Sequence, residues 1–320
     1  MPYKVVVTDY GFSDLNLEKE ALAPLDVVLE GVQCRTVEQV AAAVADADVV
    51  ITQFAPVREA AIAAMKKARA IIRYGIGVDN VDLAAAASRK IPVCNVPDYC
   101  IDEVADHTLA LMLALTRQIV TNARVVRNGE WKSAVPASAF HSLRNLTVGV
   151  VGFGRIGRAV VQRLVPFGCK ILVSDPVVST AAVQSSGAEL VKLEELLQKS
   201  DVVTLHCPSM AATRGMINRQ SLTLMKEGSL LVNASRGDLV VTEDAIEALR
   251  LGRLSGAAFD VTNPEPLPVD SPLRSLPQVI VNSHLASVSA QAVQRLRETV
   301  CSIALAALKG QPIKNIVNGV

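Results

Sequence analysis

Short runs of β-branched residues alternate with apolar positions at helical spacing along most of the chain. The first series predicts strands at Lys4–Thr8, Val27–Leu29, Val49–Thr52, Ala70–Arg73 and Pro92–Asn95, with helical stretches such as Val57–Lys66 and Val81–Ser88 between them. The second series predicts strands at Leu146–Val151, Lys170–Ser174, Val202–His206, Ser229–Asn233, Gly256–Asp260 and Val279–Asn282. Strands that alternate with helices signal parallel sheets covered on both faces, so an α/β chain with two doubly wound sheets is expected. Six strands suffice for one complete sheet of this kind.

Between the two series, Asp102–Arg127 is rich in good helix formers, follows Pro97 and closes near Asn128-Gly129, which predicts one long connecting helix. Asp102 and Glu103 suit its electropositive start. A second helix is expected over Ser289–Lys309 and a late strand over Ile313–Val317. These final residues are expected to return to the first domain. Its boundaries are then residues 1–98 plus 289–320, with residues 99–288 as the second domain.

A chain of 320 residues with 50% hydrophobic content is long enough for two cores. The net charge of +1, without a Lys/Arg block, leaves no broad cationic surface, so neither nucleic acid nor membrane is an expected partner. The longest apolar runs fall short of the ~20 residues of a spanning helix. The amino-terminal segment lacks the pattern of a signal peptide, which makes a cytoplasmic location the expectation. Six cysteines are scattered without close pairs, which reads as reduced thiols and leaves no metal site to expect.

Gly152-Phe-Gly154-Arg155-Ile156-Gly157 follows a β-branched run and leads straight into a helical pattern. The three glycines suit a tight turn, close approach of backbone to a pyrophosphate, and close packing of helix on strand. A bare glycine pattern is weak evidence by itself. Here the next strand ends at Asp175, near the ~20-residue spacing at which an acid reaches ribose hydroxyls. That carboxylate would repel a 2′-phosphate, so NAD rather than NADP is the expected cofactor.

Several further motifs occur in one order along nearly the whole chain: Arg73-Tyr-Gly75-Ile76-Gly77-Val-Asp-Asn-Val-Asp82, His206-Cys207-Pro208, Asn233-Ala234-Ser235-Arg236-Gly237, Asp260 through Asn263-Pro-Glu265-Pro-Leu-Pro268, and Ser283-His284-Leu-Ala286. With the glycine motif and Asp175, they resemble the D-2-hydroxyacid dehydrogenase family. Val96 through Thr108 is similar to the bacterial branch related to C-terminal-binding-protein corepressors. The resemblance implies a Rossmann NAD-binding domain inserted in a flavodoxin-like substrate-binding domain, a cleft that closes on substrate, and a homodimer built largely on the nucleotide domain. It also implies that Asp260 and the backbone of Ala234, Ser235 and Arg236 hold the nicotinamide end. Thr213 and the loop His206, Cys207, Pro208 would lie along the cofactor, and the backbone of Gly75, Ile76 and Gly77 would meet the substrate carboxylate.

Reduction of a 2-oxo acid needs a cation on the carboxylate and carbonyl, a hydride at the carbonyl carbon, and a proton for the oxygen. Arg236 offers a planar guanidinium that matches a carboxylate at two points. His284 is the natural proton donor, since imidazole exchanges protons around neutral pH. Glu265 is placed to hydrogen-bond its far ring nitrogen and favour the charged form. Taken singly, each residue type is commonplace in structural roles; together, in family order and each in a strand-end loop of one sheet, they form the expected catalytic trio. His107 and His141 are assigned to structure and Trp131 to packing.

Phosphoglycerate-type members present an arginine near the end of the third strand. Here Thr52-Gln-Phe-Ala-Pro56 stands there with Arg58 as the nearby cation, so a small unphosphorylated 2-oxo or 2-hydroxy acid is the expected substrate. The competing expectation is a NAD(H)-sensing, partner-binding protein of corepressor type, which would bind dinucleotide without turnover and expose an apolar groove on its first domain.

Overall fold

The computed structural model describes residues 2–320. The chain divides into two compact units, one comprising residues through Tyr99 with Ser289–Val320, the other Cys100–Val288. The first unit holds strands β1 (Tyr3–Val7), β2 (Val27–Gly31), β3 (Val49–Thr52), β4 (Ala70–Arg73) and β5 (Val93–Cys94). All pair in parallel in the order β2-β1-β3-β4-β5, the flavodoxin-like winding. Every residue of β3 and β4 is buried, as befits inner strands covered on both faces. On one face Val40, Val44, Ile62 and Ala86 pack on Val6, Val50, Ile71 and Val93.

Caps set the ends of this unit's helices. Thr36 and Gln39 form a reciprocal capping box before Val37–Val44. Asp82 accepts from Ala85 N at 2.9 Å, and Ser289 accepts from Ala292 N at 2.9 Å to start the 19-residue helix Ala290–Leu308. That helix ties back to the sheet through Arg297, whose guanidinium grips both oxygens of the fully buried Glu18, itself accepting the Tyr74 hydroxyl at 2.9 Å.

The second unit carries β6 (Thr147–Val151), β7 (Lys170–Ser174), β8 (Glu189–Leu190), β9 (Val202–Leu205), β10 (Ser229–Asn233), β11 (Leu254–Phe259) and β12 (Val279–Val281). They form one parallel sheet in the order β12-β11-β10-β9-β6-β7-β8, a Rossmann winding extended by a seventh strand. Leu109, Met112 and Val160 cover one face through Val148, Val150 and Val232; Leu196, Leu222 and Leu249 cover the other through Leu172, Val203 and Leu231. Gly149 in β6 permits this closeness, since a Cβ there would lie 2.4 Å from both Leu196 Cδ2 and Ser200 Oγ.

Three sequence expectations need correction. The sheet has seven strands rather than six, because the two-residue edge strand β8 is too short to show a pattern. The expected single helix Asp102–Arg127 is two, Ile101–Thr116 and Ile119–Arg127, bent by 63°. Thr116 turns its hydroxyl back onto Met112 O at 3.0 Å and Gln118 adopts φ 53°, so the helical ladder stops there. Ile313–Val317 makes one antiparallel bridge, Ile316 to Cys94, with Val317 N donating to Val93 O, and no strand. Among the described residues, no single helix is long and apolar enough to cross a membrane.

Candidate active site

The sheet of the second unit delivers every candidate residue of that unit at the carboxyl ends of its strands, where doubly wound folds bind ligands. The order in which strands are added reverses between β6 and β9, and the loops after these two parallel strands meet. A Cβ on Gly152 (φ 95°) would lie 2.6 Å from His206 O. A Cβ on Gly157 would lie 2.1 Å from Gly152 O, whereas one on Gly154 would project into open space at the helix start. Gly154 caps the ten-residue helix Arg155–Leu164 without a side chain, leaving its first N–H groups for an anion. Arg155 opens that helix, and Ile156 packs into the core beneath it.

Asp175 follows β7. Its Oδ2 accepts from Phe153 N at 2.8 Å and its Oδ1 from Val177 N at 2.9 Å, so it braces the glycine loop, a role the spacing alone does not reveal. Each oxygen retains a further lone pair for a ribose hydroxyl. The glycine cradle, the open helix start and this acid fit a dinucleotide.

His206 is an inward residue. Its Nε2 lies 2.9 Å from Thr204 Oγ1, its Nδ1 is enclosed, and burial pulls its pKa down to about 4, which keeps the ring neutral. Burial pushes the Cys207 thiol up to about 11. Pro208 O accepts the Thr213 hydroxyl at 2.6 Å, and Thr213 Oγ1 also accepts from Met210 N, closing the loop on itself. Ser235 Oγ then donates to Cys207 O at 2.6 Å, joining this loop to the one after β10.

Strands β10, β11 and β12 are neighbours, and the loops following them carry Arg236, Glu265 and His284 in turn. Asn233 at the end of β10 accepts from Ser235 N and donates to Arg236 O at 2.7 Å, shaping the turn after buried Ala234. The Arg236 guanidinium donates to Ser235 O at 2.7 Å. Gly237 lies so close to the next loop that a Cβ there would sit 2.0 Å from Thr262 O, which sets the Arg236 turn directly on the chain leading to Glu265. The peptide bonds Asn263-Pro264 and Glu265-Pro266 are both cis.

His284 Nδ1 lies 2.9 Å from Glu265 Oε1, with the two side chains 24% and 41% exposed. This contact occupies Nδ1 and fixes the orientation of the ring. Asp260 is buried and faces the same loop, its oxygens accepting from Leu285 N and Ala286 N at 2.9 Å each.

Gly75, Ile76 and Gly77 belong to the first unit, at the carboxyl end of β4. Gly75 has φ 145°, and a Cβ there would fall 1.4 Å from Arg73 Nη1. Asn95 Nδ2 donates to Ile76 O at 2.7 Å. Arg73 also corrects the expectation that Arg58 is the only cation near the end of β3. Its Nε donates to Gln53 O at 3.2 Å and its guanidinium lies 5.6 Å from the Phe54 ring, while Arg58 donates to Asp79 O. Scanning along the chain misses Arg73 because it reaches that place across the sheet.

Residues 109–286 match the family model described as D-isomer specific 2-hydroxyacid dehydrogenase, NAD binding domain. The chain belongs to that family. It is 37% identical to a glyoxylate reductase of Korarchaeum cryptofilum over 82% of this chain and 80% of that protein. It is also 37% identical to a D-3-phosphoglycerate dehydrogenase of Mycobacterium bovis over 93% of this chain, but spans 58% of that relative's length. The crystal structure of D-lactate dehydrogenase from Aquifex aeolicus with NAD and lactic acid matches with a TM-score of 0.89 at 28% identity, covering 99% of both chains.

Proposed function

We propose that the chain is a NAD(H)-dependent oxidoreductase that interconverts a small 2-oxo acid and its D-2-hydroxy acid, acting on the CH–OH group of the donor. The observation that carries this reading is the 2.9 Å contact of His284 Nδ1 with Glu265, on strand-end loops beside the Arg236 turn and on the same sheet as the glycine cradle. Bound NADH would supply a hydride to the carbonyl carbon.

The chain's own residues do the remaining work. Arg236 holds the substrate carboxylate and polarises the carbonyl, and the Gly75 to Gly77 loop is the substrate-binding segment of the first unit. His284 Nε2 gives its proton to the carbonyl oxygen, leaving a neutral ring that takes the proton back in the reverse direction. Glu265 holds the ring and steadies its charged form. Gly152, Gly154 and Gly157 admit the pyrophosphate, and Asp175 takes the ribose hydroxyls, which favours NAD.

A steady-state screen of NADH oxidation across glyoxylate, pyruvate, hydroxypyruvate and phosphohydroxypyruvate tests this reading. Saturable turnover with at least one acid is expected; NADH binding without turnover on any of them would favour a dinucleotide-sensing binding protein. We place the protein in the cytoplasm as a homodimer. Helix Ile119–Arg127 has no buried residue and Trp131 is 91% exposed, which supports burial of this arm by a second copy.

A further inference from the structure

Behind the Glu265 and His284 pair lies a second imidazole and carboxylate. His107, midway along helix Ile101–Thr116, places Nε2 3.4 Å from Asp260 Oδ1 and 2.9 Å from Asn282 Nδ2. Asp260 is 1% exposed and makes three bonds to one stretch of backbone: its carbonyl accepts from His284 N at 2.8 Å, Oδ1 from Leu285 N and Oδ2 from Ala286 N. That stretch needs holding. His284 has φ 59°, a left-handed conformation that residues with a side chain seldom adopt. Asn282, two residues earlier, is anchored through its own N–H to Phe259 O at 2.9 Å.

We propose that His107 is a positioning residue for His284, acting through Asp260 and Asn282. Nε2 is one ring atom shared by two groups: with a hydrogen it faces Asp260 Oδ1 at 3.4 Å, and without one it accepts from Asn282 Nδ2 at 2.9 Å. Either way, the ring pins one end of the strained His284 turn to the helix behind it. A buried carboxylate that accepts two backbone N–H bonds tolerates little displacement, since losing a partner leaves a charge without compensation. An aliphatic side chain at 107 makes neither contact; an amide supplies part of both. The inference rests on the reading of His284 as the acid and base.

The test uses the full chain with His107→Leu, His107→Gln, His284→Ala and the His107→Leu/His284→Ala double variant. Amide exchange of Leu285 and Ala286 is measured without ligands, and kcat and KM are measured with NADH and glyoxylate. His107→Leu is expected to speed exchange at these two amides about tenfold relative to the rest of the domain. It should lower kcat about tenfold while KM stays within about twofold, as expected for a misplaced proton donor. His107→Gln should recover most of the loss. In the His284→Ala background, His107→Leu should lower kcat no further, because the two act as one unit. Unchanged local exchange, an increase spread evenly over the domain, or additive kcat losses would overturn the proposal. If His284→Ala itself retains full turnover, the catalytic reading of His284 fails, while the exchange data still decide whether His107 holds the turn.

Discussion

His284 Nδ1 and Glu265 Oε1 stand 2.9 Å apart across the loops that follow two neighbouring parallel strands. The contact orients the ring and places a carboxylate against its Nδ1 side. Replacing Glu265 with Gln keeps an acceptor and removes the charge. A fall in kcat of about 10- to 100-fold is expected with little change in KM for NADH, read by steady-state oxidation of NADH.

Arg236 is proposed to meet a planar carboxylate with a planar fork. Lysine preserves the charge and loses the two-point match. Arg236→Lys should lower kcat/KM for the 2-oxo acid by at least about tenfold while the NADH dissociation constant holds within about twofold. Equal loss of NADH binding would move Arg236 from substrate to cofactor.

Gly157 backs onto the glycine loop so tightly that a Cβ would stand 2.1 Å from Gly152 O. Backbone has to shift to admit Gly157→Ala, a cost of about 1 to 3 kcal/mol. If the shift falls on the cradle, NADH affinity drops about 10- to 100-fold. Fluorescence titration with NADH reads the loss, and an unchanged dissociation constant would contradict it.

His206 links the cofactor loop to acid stability. Its folded pKa of about 4 lies below the ordinary histidine value of 6.5, so the unfolded chain binds the proton more readily between these two values. The stability contributed by the neutral ring is complete above pH 6.5 and is lost as pH falls toward 4, by up to about 3 kcal/mol. Chemical unfolding at several pH values should show this slope in the native chain and a shallower one in His206→Asn.

Much of this fold is legible in the residues because the buried strands are written in short apolar runs. Val49–Thr52, Ala70–Arg73 and Ser229–Asn233 are enclosed on both faces and stand out accordingly. What escapes is short or nonlocal. Glu189 and Leu190 form an edge strand too brief to show alternation, and the helix break at Gln118 depends on a left-handed residue that good helix formers on either side conceal. At the site, residue type and order suggest the chemistry but carry no distances. Asp175 gripping Phe153 N, Arg73 passing beneath Gly75, and His107 reaching Asp260 all arise from contacts across elements.

The most direct measurement follows the hydride itself. The protein is incubated with pyruvate and NADH deuterated at both C4 positions, and the product is examined by NMR and chiral chromatography. The account predicts D-lactate with deuterium at C2, formed at least about 100-fold more slowly by His284→Ala. Unlabelled lactate, the L enantiomer, or an undiminished rate in His284→Ala would contradict it.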